Sequence, residues 1–137
     1  MDLPLRFLLV DDSVGDQLLA AEAFQQLRPD CVLTCVSSGA EALRMLRHQK
    51  VKPDVVLLDV NMPGMSGLQV LEAIKADPKL ALLPVVMLST SNAENDVQAA
   101  YTLHANSYLV KAPIFEDFVA QIETFLDFWQ KSRIAHP

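Results

Sequence analysis

The chain has 137 residues, 51% of them apolar and 20% charged, with a formal net charge of −6. That balance suits one compact domain with a sizeable core and excludes an intrinsically disordered chain. The acidic charge without any basic run speaks against a nucleic-acid partner, no apolar stretch reaches membrane-span length, and the opening MDLPLRF is no signal peptide.

Short apolar runs alternate with amphipathic stretches. LRFLLV at 5–10 reads as a buried strand and runs into Asp11 and Asp12. A helical pattern follows, with Leu19, Ala23 and Leu27 four apart. CVLTCV at 31–36 is the second strand. Its Cys31 and Cys35 point to one side but lie too far apart to bridge, and no His or second Cys pair completes a zinc site. They are expected to pack, as free thiols do in a reducing cytoplasm.

Ser37 or Ser38 caps a second helix that turns Ala42, Leu43 and Leu46 inward. VVLLD at 55–59 is the third strand and ends on Asp59, before a Pro63–Gly64 turn. Leu68, Leu71 and Ile74 line a third helix, stopped by Asp77–Pro78. VVMLS at 85–89 ends on Ser89, with Thr90 next. A fourth helix carries Val97, Ala100, Tyr101 and Leu103, and SYLV at 107–110 delivers Lys111. A last helix over about 114–129 puts Phe118, Ile122, Phe125 and Trp129 on one stripe.

Five such units without repeats predict a doubly wound α/β domain: a five-stranded parallel sheet with five helices, spanning 1–137. Its core is expected over about 5–130, with a short tail at 131–137 and no room for an output domain after Trp129. In such sheets ligands sit at the carboxyl ends of the strands. That rule gathers Asp11, Asp12, Asp59, Ser89, Thr90 and Lys111 at one end.

Taken alone, a strand-end Asp is ordinarily a cap or a solvated residue, a Lys after a strand is surface, and Pro63 and Gly67 are turn residues. The ordered set is more specific than its members. Packed carboxylates repel one another, and a divalent cation relieves the conflict; hard oxygen ligands with spare water positions suit Mg²⁺. Lys111 adds a positive charge and Ser89 a neutral donor, which together define a site for a phosphoryl group. Asp59 is the best-placed nucleophile. His48, His104 and His136 stand outside the set and receive no catalytic role.

LLVDDS, VVLLDVNMPGMSG, PVVMLSTS and SYLVKAP, in this order and spacing, resemble the receiver domain of two-component response regulators. The resemblance implies a flavodoxin-like strand order 2-1-3-4-5 and a phosphoacceptor at Asp59. It implies Mg²⁺ held by Asp12 and Asp59 directly, by Asp11 through water, and by the backbone carbonyl of Asn61. Lys111 would pair with the phosphate, Thr90 would offer it a backbone group, and Ser89 and Tyr108 would be the switch residues. Asn61 and Ser91 would border the path of hydrolytic water. The donor would be a histidine kinase, and the chain itself no enzyme beyond its own phosphotransfer and dephosphorylation. The ending AYTLHANSYLVK…FEDFVAQIETFLDFW resembles small receivers linked to bacterial phytochrome kinases.

The sequence departs from the receiver pattern in one place. Receivers usually carry Lys-Pro with a cis peptide, whereas this chain reads Lys111-Ala112-Pro113. A cis bond before Ala112 would cost about 2.5–4 kcal/mol, so either strain is tolerated there or the loop takes another path.

A haloacid-dehalogenase-type phosphatase would need an acid two residues past its nucleophile, and Asn61 and Ser13 hold those positions. A flavodoxin-like cofactor carrier would need a glycine-rich first turn, where this chain has DDSVGD. A degenerate scaffold would have lost an acid or the lysine.

Phe115, Val119, Leu126 and Phe128 widen the apolar arc of the last helix beyond what one buried face needs. The expectation is a two-fold homodimer through the fourth helix, fifth strand and fifth helix; the competing reading has the tail fold back over them.

Overall fold

The computed structural model describes residues 5–131. Five parallel strands, β1 (Arg6–Val10), β2 (Val32–Val36), β3 (Val55–Leu58), β4 (Val85–Ser89) and β5 (Ser107–Val110), form one sheet in the order β2-β1-β3-β4-β5. Between and after them run α1 (Val14–Leu27), α2 (Gly39–Arg47), α3 (Gly67–Ala76), α4 (Glu94–Thr102) and α5 (Phe115–Lys131).

Side chains alternate across the pleat, so each strand feeds two cores. Leu8, Val10, Val56, Leu58 and Met87 pack with α2, α3 and α4, including Leu43, Leu46, Leu71 and Ile74. Phe7, Leu9, Leu57, Val86 and Leu88 pack with α1 and α5. All residues of β3 and β4 are buried, which explains their unbroken apolar runs.

The helix starts follow from their caps. Ser13 accepts from the Asp16 N–H, Ser38 from Glu41, and Ser66 forms a reciprocal capping box with Gln69. α4 differs: Ala93 caps it without a side-chain bond, and Ala100 is its one buried residue.

Several expectations change in detail. On α1 the buried face is Ala20, Ala23 and Phe24, while Leu19 is 45% exposed. Small residues let α1 lie close to the sheet beside the aromatic side chains of α5, which turns Leu18 and Leu19 outward. Tyr101 likewise faces outward. Cys31 and Cys35 are free and packed against the α1–α5 core. Phe115, Val119 and Leu126 pack against the same core, leaving Phe128 as the exposed member of the wider arc, at 61%. The tail at 132–137, including His136, lies outside the described residues. Among the described residues no peptide bond is cis, so the Lys111–Ala112 loop takes the other path.

Candidate functional site

The sheet's hydrogen-bond ladder runs one residue past the strand ends, and those extra rungs carry the polar side chains. The Asp11 N–H donates to Val36 O at 3.1 Å, Asp59 N–H to Val10 O at 3.0 Å, and Lys111 N–H to Ser89 O at 2.8 Å. The ends of β1, β3 and β5 thus present an acid, an acid and an amine, each seated by a backbone bond to the adjacent strand.

Asp11 (1% exposed), Asp59 (8%) and Ser89 (0%) are the buried polar residues among those described. Carboxylate oxygens of Asp11, Asp12 and Asp59 all lie within 4.8 Å of one another, with Asp12 exposed at the rim. Burial, and then the Asp11 carboxylate, raise the Asp59 pKa above its ordinary value, against the pull of Lys111, the Ser89 hydroxyl and the Val60 N–H. A cluster that penalises its own charge and offers only hard oxygens fits a divalent cation.

Both oxygens of Asp11 have partners: Oδ1 accepts from the Ser13 N–H at 2.9 Å and Oδ2 from Lys111 Nζ at 2.7 Å. Gln17 Nε2 donates to the Asp11 carbonyl at 2.7 Å and to Ser37 Oγ at 3.1 Å, tying the β1 and β2 ends together. Lys111 Nζ also donates to Asp16 Oδ2 at 3.0 Å. Burial would depress the Lys111 pKa, but the hydrogen bonds it donates to Asp11 and Asp16, with their negative charges, outweigh it, and the ammonium is held above its ordinary value.

Gly67 fixes the floor. A Cβ there would lie 1.9 Å from the Asp59 carbonyl oxygen, so only glycine lets α3 start against the Asp59–Val60 backbone. Its N–H donates to Val60 O at 2.8 Å. Gly64 takes the turn before it at φ 74°.

A hydrogen-bonded path leads away from Ser89. Its Oγ accepts from the Ser91 N–H at 3.2 Å, and the Ser91 carbonyl accepts from Tyr108 Oη at 2.7 Å. Ser91 Oγ donates to Asp96 in the first turn of α4 at 2.6 Å. Tyr108 is half-buried against the α2–α4 core.

Asp11, Asp12, Asp59, Ser89 and Lys111 therefore meet as expected, with Thr90 beside Lys111 in a cleft and Asn61 exposed past Asp59. Asp16, Gln17 and Gly67 were not anticipated as site residues. The acidic DDSVGD turn held the signal for Asp16.

Residues 7–123 match the response regulator receiver domain, and this chain belongs to that family. It is similar to the response regulator Rcp1 of Synechocystis, with 37% identity over 131 residues covering 92% of this chain and 89% of that one. The phosphorylated cyanobacterial phytochrome response regulator RcpA superposes with a TM-score of 0.90 at 33% identity, covering 96% and 98% of the two chains. The Mn²⁺-bound form of Rcp1 superposes at 0.86 with 34% identity, over 98% and 99%.

Proposed function

We propose that the chain is a phosphoacceptor of two-component signalling, with Asp59 as the residue modified. The observation that carries this reading is the meeting of buried Asp59 with Asp11, Asp12 and Lys111 at the strand ends. A carboxylate oxygen of Asp59 would attack the phosphorus of a phosphohistidine. The new O–P bond forms as the P–N bond breaks, and the electron pair returns to the imidazole of the kinase. Lys111 supplies positive charge to the transferred group, and Thr90 and Ser89 supply donors.

Asp11, Asp12, Asp59 and the Asn61 carbonyl would hold Mg²⁺, which when bound neutralises the charge gathering on the phosphoryl oxygens. The Mn²⁺-bound state of Rcp1 supports a divalent ion here, and the likeness to RcpA supports a phytochrome-type histidine kinase as donor. Among the described residues no helix is long and apolar enough to cross a membrane.

Output would leave through the chain's own α4–β5–α5 surface. A phosphoryl group that draws Ser89 toward it pulls on Ser91, and through Ser91 on both Tyr108 and α4. α4, with no side-chain bond at its N-cap and Ala100 as its one buried residue, is the helix least able to resist. On the same surface lies a groove of about 490 Å³ lined by Leu109, Phe125, Phe128 and Trp129. With the exposed Phe128 it favours pairing with a second copy of the chain.

The deciding experiment is Mg²⁺-dependent uptake of labelled phosphate from acetyl phosphate and from a histidine kinase. Label that is base-labile and lost in Asp59→Asn supports the reading; equal labelling of that variant overturns it.

A further inference from the structure

We infer that Gln121 is a positioning residue for Lys111, acting as a side-chain substitute for a sixth strand. The inference rests on the proposed role of Lys111 toward the phosphoryl group. β5 is the edge of the sheet. The Lys111 N–H points inward to Ser89 O, so in a parallel ladder the Val110 carbonyl and the Ala112 N–H on either side of it point outward, where no strand follows. Both are taken by one amide from α5. Gln121 Nε2 donates to Val110 O at 2.7 Å, and the Ala112 N–H donates to Gln121 Oε1 at 2.9 Å.

That is the pairing a neighbouring parallel strand would give, with the primary amide standing where a peptide group would stand. The backbone is gripped on both sides of the lysine, and Nζ is held at the other end by Asp11 and Asp16. The clamp also needs Ala112: a proline there has no N–H to give. The departure from Lys-Pro therefore coincides with the donor that Gln121 uses, and α5 does the aiming in this chain. Helix anchoring does not require Gln121, since Phe118, Ile122, Phe125, Leu126 and Trp129 bury the inner face.

The test is a double-mutant cycle on phosphoryl uptake from acetyl phosphate with saturating Mg²⁺, with thermal midpoints recorded to fix the folded fraction. Gln121→Leu keeps the bulk and loses both bonds, and should slow uptake at saturating donor by roughly tenfold. Gln121→Glu keeps the acceptor for Ala112 and should fall between it and the parent; it carries the cycle if the leucine variant does not fold. On a Lys111→Ala background either change should alter the rate by less than about twofold, because no ammonium remains to be aimed. Equal losses in both backgrounds, or none in the parent background, overturn the inference. A parent chain that takes up no label overturns the phosphoacceptor reading itself, and this inference with it.

Discussion

The Lys111 ammonium is shared between two carboxylates, and the second of them, Asp16 at 3.0 Å, lies on the exposed first turn of α1. A phosphoryl group on Asp59 would have to draw Lys111 away from that partner. A pair this open contributes about 0.2–1 kcal/mol. Asp16→Asn should therefore raise the phosphorylated fraction at a fixed, subsaturating level of acetyl phosphate by up to about fivefold. Intact-mass spectrometry reads that fraction, and an unchanged or lower value contradicts the competition.

Asp59 should be a stability cost to the metal-free protein. Burial, and then Asp11, raise its folded pKa. Its contribution to stability is thus fully present below the unfolded carboxylate pKa and is lost as pH rises through the folded value. Asp59→Asn should unfold at higher urea than the parent at pH 7 in a chelator. The gap should close as pH falls toward 4 and narrow when Mg²⁺ is added. A gap independent of pH would place the cause elsewhere.

Gly67→Ala tests the floor of the site. Its Cβ would fall 1.9 Å from the Asp59 carbonyl oxygen, a backbone atom that cannot swing away. Overpacking of this kind costs about 1–3 kcal/mol, and the shift should weaken Mg²⁺ binding as well. Urea midpoints and calorimetric Mg²⁺ titration measure the two effects. Parent-like values in both would show that α3 can retreat freely.

Phe128→Asp should lower self-association without touching the acids. Burying a side chain of that size is worth about 1.5–3 kcal/mol, so losing it from each half of a two-fold pair should shift a dimer to monomer at micromolar protein. Sedimentation velocity distinguishes the species. A parent that is monomeric with and without a phosphate mimic removes the dimer.

The fold was legible because β3 and β4 are buried on both faces and announce themselves as unbroken apolar runs. The acids were legible because each follows directly on such a run. Asp16 was harder: 95 residues separate it from Lys111, and an acid in the first turn of a helix already has a local reason to be there. Gln121 was hidden more thoroughly, since both its partners are backbone atoms and a sequence does not display its backbone. Leu19 misled because an i, i+4 pattern with Ala23 fits either side of Ala20.

The rungs that hold Asp11, Asp59 and Lys111 belong to the sheet itself, which makes the reactive end of the molecule continuous with its scaffold. Amide protons there should exchange with solvent about as slowly as those of the inner strands, while α4 exchanges early. Descendants of this chain are free to recarve α4 and the outer surface of α5 for new listeners, because neither supplies a rung to the acids.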